Sequence, residues 1–305
     1  MRSISIFGII ALWTQALLAQ QFQFVDSLHF PEDQDIHHML VKLEIPMGEL
    51  YMKASDCDGT SISRLSSPDS LAQHIVETNE GPSGNYICNI KLAPPAAPTA
   101  GARMAPANMR LSDQLTTIDT YSEAKPYRSS FCPDPSIDTD LFIDLGVGGS
   151  RLDLSGLSLN NVSINSAFSD VTVHYRQPNQ IEMTQMDIHA ASANVVLKNL
   201  EMAKARMVTV QNDMGDTKLI LGKGYIPGGE ITVRAGVGGL ILIVDENQPI
   251  ELRLKTGFFS SVDMPDEFKK IKNGTYINTA MQSNPDARVI ITCEVDFGSV
   301  SVITN

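Results

Sequence analysis

Exposed-type aromatic surface is scarce in this chain of 305 residues: its one tryptophan, Trp13, lies in the first twenty residues, and Phe, Trp and Tyr together make up 6%. Sugar-cleaving clefts favour exposed aromatic platforms, so this scarcity weighs against a polysaccharide-active enzyme. Positive charge is also short, with 23 Lys and Arg against 35 Asp and Glu and a formal net charge of −12. A surface so acidic repels phosphate backbones and anionic lipid, which argues against nucleic acid as a partner. Beyond residue 20 no apolar run reaches the roughly 18 residues that a membrane-spanning helix needs. The sequence holds no GxxxxGK[ST], no nucleophile elbow and no CxxC pair. The four cysteines therefore read as staples or buried thiols, with Cys57 and Cys88 the first candidate disulfide and Cys132 and Cys293 the remaining pair.

What is present starts with an address. Met1 to Ala19 combines basic Arg2, an apolar stretch over Ile6 to Leu18 and small Ala19, the pattern of a signal peptide; an uncleaved anchor is the alternative. Arg2 is the only charge in that segment, so the exported chain carries −12 − 1 = −13. Residues 20–92 form a β-rich region with alternation at Val41, Leu43 and Ile45, a candidate cap for the C-terminal half of the chain, and a short capped helix is expected where Ser67, Pro68 and Asp69 precede Leu71, Ile75 and Val76. Residues 93–137 are a linker and irregular segment, marked by Pro94, Pro95, Pro98 and Pro106.

From residue 138 to 305 the chain repeats itself. GVGGSRL starts at 146, AFSDVTV at 167, ASANVVL at 191, DMGDTKL at 213, GVGGLIL at 236 and GFFSSVD at 257, spaced by 21 to 24 residues. DFGSVSV comes at 296 after the excursion MPDEFKKIKNGTYINTA, and a weaker copy, PMGELYM, starts at 46. Each copy is a small-residue turn followed by period-two apolar alternation, and a second alternating segment precedes the next turn. One unit of that size cannot bury its apolar face alone, whereas copies stacked at about 4.8 Å can. The expected fold is all-β, a stacked-strand β-solenoid, with a β-sandwich as runner-up. Phe168 and Phe258 sit in turns, where stacking inside the solenoid is the simpler expectation.

These residues resemble the bacterial envelope proteins described as putative adhesins or toast-rack domains, similar also to the C-terminal domain of the LiaF-type stress regulators. The resemblance is carried by LFIDLGVGGSRLDLSGLSLNNVSINSAFSDVTV, by GVGGLILIVDENQPIELRLKTGFFSSVDMP and by ARVIITCEVDFGSVSV. It implies a stacked-strand fold in an envelope or extracellular setting and supplies no catalytic residues. The chain departs from the regulators in lacking membrane helices after its leader.

Chemistry-bearing residues recur without a catalytic pattern. Asp153, Asp170, Asp187, Asp213, Asp216 and Asp296 lie in or beside the turns, where acids keep the surface soluble; paired, they could flank a glycosidic bond or hold Ca²⁺, although the GGxGxDxUx calcium repeat is not matched. Arg151, Arg176, Arg206, Arg234 and Arg253 could pair with surface acids or hold an acidic sugar. No metal or other cofactor is assigned; His29, Glu32, Asp33, Asp35, His37 and His38 have ligand chemistry but sit near a chain end. The reading is an exported, non-catalytic binding or structural module whose partner is an envelope protein, a surface glycan or another copy of itself. Arg151, Arg176, Arg234, Arg253, Asp153 and Asp170 are its candidate binding-face residues, and a polysaccharide-active lyase or hydrolase is the alternative.

Overall fold

The computed structural model describes residues 23–29, 36–54, 61–67, 73–80, 85–93, 127–131 and 136–305. The expected signal segment, Cys57, Cys132, Glu32 to Asp35 and most of the linker lie outside the described residues. The architecture is all-β, as expected. Among the described residues, eighteen strands form one hydrogen-bonded system, and helix is confined to α1 (Thr279–Ser283) and short 3₁₀ turns.

Five long strands carry the frame: β2 (His38–Ala54), β7 (Asp138–Asp153), β8 (Leu159–His174), β13 (Glu230–Val244) and β18 (Val289–Thr304). Each changes the parity of its buried positions part-way. In β7, Leu141, Ile143 and Leu145 face inward, then Ser150 and Leu152 do; in β18, Val289 to Val295 alternate inward at odd positions, then Val300 and Val302 at even ones. Strict period-two alternation cannot switch parity, so each strand is two straight halves joined by a bend. Glycine makes the bend in β7, β13 and β18, where Gly148, Gly238 and Gly298 have φ of 145°, 145° and 150°, whereas β8 carries Ser169 opposite Gly148.

The two halves feed two branches of parallel pairing. On the first, β8 pairs with β9 (Met183–Ala190), then β11 (Ala205–Met214), then β13. On the second, β8 pairs with β10 (Val195–Lys198), then β12 (Thr217–Leu221), then β13 again. Because β8 and β13 serve both branches, these six parallel strands close a ring. Residues 46–52 and 146–152, and likewise 146–152 and 167–173, lie side by side residue for residue.

Register turns alternation into a core. Val41, Leu141, Val162, Met186, Val208, Ile231, Ile291 and Leu252 succeed one another across neighbouring strands, each 1% exposed or less. Cys88 extends that row beside Val41, and Cys293 sits in the next row between Val233 and Leu254. Both are free thiols, and burial pushes Cys88 up to about 11 and Cys293 up to about 12. Where β8 and β14 begin, Asn side chains extend the sheet ladder. Asn179 accepts from Leu159 N and donates to Leu159 O, and Asn278 accepts from Ile250 N and donates to Gln248 O.

Strand order departs from chain order at both ends. Stacking in sequence would set GFFSSVD beside GVGGLIL with DFGSVSV outermost. Instead β18 lies between β13 on one side and β14 (Ile250–Thr256) and β15 (Ser261–Asp263) on the other. Ser261 stands opposite Ser299, one residue from the expected register. Beyond β14 come β17 (Thr275–Ile277) and β16 (Lys269–Lys272), both antiparallel. At the other end β2 lies between β7 and the pair β5 (Asn85–Ala93) and β6 (Tyr127–Phe131). A long apolar strand left outermost would present a pairing edge; inserting it leaves shorter strands there. The helix expected around residue 71 is corrected at Ile75 and Val76, which lie in β4 (Gln73–Glu80), antiparallel to β5 over eight residue pairs. A full ladder of backbone hydrogen bonds outweighs a local cap of about 1 kcal/mol.

The bends also set how closely neighbouring strands approach. A Cβ on Gly238 would stand 2.1 Å from the carbonyl oxygen of Gly215, and one on Gly298 would stand 1.8 Å from that of Gly238. Only hydrogen fits. Gly238→Ala is expected to destabilise the fold by roughly 2 kcal/mol or more in urea titration, since it combines a disfavoured φ with a backbone clash. Gly149→Ala, where a Cβ meets nothing within 4 Å, should stay within about 0.5 kcal/mol of wild type.

Candidate binding surface

The parity switch has a consequence for the turns. A residue at the bend belongs to neither inward face, so the second residue of each turn projects outward. Val147 pairs with Phe168, and Met214 pairs with Val237, which pairs with Phe297. Phe168 is 63% exposed, and the others are about half exposed. The expectation that Phe168 and Phe258 stack inside is therefore corrected: Phe258 is 94% and Phe259 76% exposed. Phe259 stacks on Phe297 at 6.5 Å between ring centroids, and Phe258 meets Phe259 edge-on at 5.1 Å. An apolar crest thus tracks the bends, interrupted at Ser192. At roughly 200 Å² per phenylalanine, its three clustered rings expose about 450 Å², as much as the largest apolar patch of a typical soluble monomer.

Polar ladders flank the crest. On one side Asp170 Oδ1 accepts from Asn194 N at 2.8 Å, Asn194 Oδ1 from Asp216 N at 3.3 Å, and Asp216 Oδ1 from Gly239 N at 2.8 Å. Each side chain caps a backbone N–H of the neighbouring turn. On the other side Glu44, Asp144, Asn165, His189 and Gln211 stand in register, one per strand. Between this row and the crest runs a shallow groove of about 670 Å³, with Pro46, Gly146, Ala167 and Ala191 among the small residues lining it. Asp213 lines it too and accepts from Gln211 Nε2 at 3.2 Å. Among the described residues no Lys or Arg lines the groove. Lys42 stands at one end, 2.8 Å from Glu44 and 3.4 Å from Asp144; the Glu44 carboxylate raises the Lys42 pKa, and hydrogen bonding from Lys42 and then Lys91 lowers that of Glu44.

The six candidate binding-face residues fall on different surfaces. Arg234 and Arg253 face outward on the first branch, held by Glu294 at 3.5 Å and Glu251 at 2.6 Å. Arg151 stands on the second branch, 5.4 Å over the Tyr51 ring. Asp153 is largely buried near its end, 3.3 Å from His174 and 3.6 Å from Arg176. Asp170 belongs to the capping ladder. Arg206 pairs with Glu182. None of the arginines enters the groove. Among the described residues no three His, Cys, Asp or Glu side chains gather as metal ligands, and His38 faces Asp140 at 3.2 Å. Ser166 and Ser169 hydrogen-bond each other locally, apart from His174, which faces Asp153. Sequence reasoning missed Glu44, Asp144, Asn165, His189 and Gln211. Their signal was their equal distance from each turn, one residue before the last inward position or beside it.

No protein-family model matches the chain, and no curated protein does. One solved structure, titled a putative cell adhesion protein from Clostridium sporogenes, aligns with 92% of this chain and 98% of its own at 9% identity and a TM-score of 0.42. A likeness that distant carries no functional argument. Among the described residues no helix is long and apolar enough to cross a membrane.

The crest's exposure separates its residues from the core. Phe258→Ser should leave the unfolding free energy from urea titration within about 0.5 kcal/mol of wild type, because little is uncovered by removing an exposed ring. Leu252→Ala, at a fully buried position in the inward row, should lower stability by about 2–5 kcal/mol.

Proposed function

We propose that the chain is an exported, non-catalytic binding module of the adhesin-like kind, which meets its partner through the outer surface of a β-solenoid. Support for the solenoid comes from the register: parallel neighbours 20 to 24 residues apart carry equivalent positions, as successive coils would. The six-strand ring then arises because each long strand contributes one half to each of two walls. A sandwich would more often join its strands by antiparallel pairing, which here is confined to the two ends. The described strands within residues 20–92 form the stack's first end, the signal segment directs export, and the setting is periplasm, cell surface or extracellular space.

The observation that carries the binding reading is the crest. Two adjacent phenylalanines at the tip of a turn, 94% and 76% exposed, leave apolar surface in water that nothing in the chain covers among the described residues. Turn tips ordinarily take Gly, Asn, Asp or Ser. Such exposure is typical of a surface that meets another molecule. A polysaccharide-active enzyme is the second reading, favoured by the exposed Phe168 and by Asp144 and Asp213 lining one groove.

Arrays of envelope polysaccharides and of synthetic peptides distinguish these readings when probed with residues 20–305 and with the Phe258→Ser, Phe259→Ser double variant. Binding predicts saturable retention, weakened at least tenfold in the double variant, with no oligosaccharide released. Released product, or retention that the double variant leaves unchanged, would contradict it.

A further inference from the structure

The groove beside the crest has three properties that together select a ligand class. Its polar wall is periodic. Glu44, Asp144, Asn165, His189 and Gln211 supply one hydrogen-bonding side chain per level, so at the ~4.8 Å spacing of paired strands the wall runs about 19 Å over five levels. An extended peptide lying along it advances 3.2–3.4 Å per residue and falls out of step with the levels. A chain of pyranose units advances by about one level per sugar, and its hydroxyl groups can donate to carboxylates and exchange hydrogen bonds with amides.

The second property is the floor. Pro46, Gly146, Ala167 and Ala191 are short, so a flat ring can lie close to the backbone, and Phe168, next in the chain to Ala167, offers an exposed aromatic face at the edge. The third is charge. Glu44, Asp144 and Asp213 line the groove, and no Lys or Arg is among its described lining residues; Lys42 and Lys91 offset part of the charge at the Glu44 end, and Arg234, which follows Gln211 in the row at the other end, is held by Glu294. A uronic or otherwise acidic sugar meets repulsion there, whereas a protonated amine meets carboxylates. The arginines that could have held an acidic sugar are turned to other surfaces or paired with glutamates.

We infer that this groove holds a linear polysaccharide of pyranose units that carry free amines instead of carboxylates. This rests on the binding-module reading and names the ligand class of that surface.

Titration calorimetry of the full chain, with hexosamine oligosaccharides of two to eight units in deacetylated and fully acetylated form, tests it. The deacetylated series should bind at least tenfold tighter than the acetylated one. Its affinity should rise with length and level off at about five units, one per level. The Asp144→Asn, Asp213→Asn double variant should lose about tenfold toward deacetylated oligomers and stay unchanged toward acetylated ones, with an unaltered melting temperature. Galacturonate oligomers binding as tightly as the deacetylated series would overturn the inference, as would an oligolysine of equal charge doing so or an affinity indifferent to length. Retention elsewhere that depends on Phe258 and Phe259, with nothing bound at the groove, would overturn the inference alone and leave the binding module standing. Retention nowhere would remove both.

Discussion

In-register parallel pairing is the constraint on which the rest of the molecule depends. Once residue 148 stands beside 169 and residue 238 beside 298, every property of one turn is repeated at the spacing of strands. Inward positions merge into continuous apolar rows, outward positions into polar ladders, and bend positions into a crest. At Gly238 against Gly215 and at Gly298 against Gly238 the same pairing brings backbones to within a contact that only glycine tolerates. Core, crest and groove are thus consequences of one register.

Insertion of β2 and β18 as inner strands arises from the same requirement. Each is long, apolar on its inward face and paired along most of its length, so each contributes most when a neighbour covers it on both sides. The shorter β14, β15, β16 and β17 then take the outer positions at one end. Lys269, Lys270 and Lys272 on β16 are exposed, and charged lysines discourage further strand pairing at an edge. Buried groups reinforce the arrangement. Tyr175 and Tyr225, both almost fully enclosed, have pKa values raised above the ordinary tyrosine range by burial, so both enter the fold neutral.

The sequence made the strands legible because alternation is local: Leu141, Ile143 and Leu145 announce an inward face without any knowledge of their neighbours. Turn positions were legible for the same reason, since Gly and small residues recur at 146, 191, 213, 236 and 257. The order of levels was not, because a strand's affinity for one neighbour over another depends on long-range pairing that leaves no local mark. DFGSVSV and GFFSSVD look alike as turns, and which lies outside is decided by the β14 to β17 excursion. Nor was the direction of Phe168 and Phe258 legible. An apolar residue in a turn reads as core unless the parity switch across the bend is counted, and that switch shows only when buried positions on both sides are compared. The groove residues escaped for a related reason: Asn165, His189 and Gln211 share no residue type, and register alone unites them.

The most direct test of this account is cysteine cross-linking of the outward positions Thr232, Thr292 and Arg253, which stand in one row with Thr292 in the middle. Under mild oxidation, Thr232→Cys with Thr292→Cys, and Thr292→Cys with Arg253→Cys, should each form a disulfide in the native chain, located by peptide mass spectrometry. Thr232→Cys with Arg253→Cys should not. A bridge between 232 and 253, with none to 292, would show that the levels stack in chain order and would contradict the inserted strand.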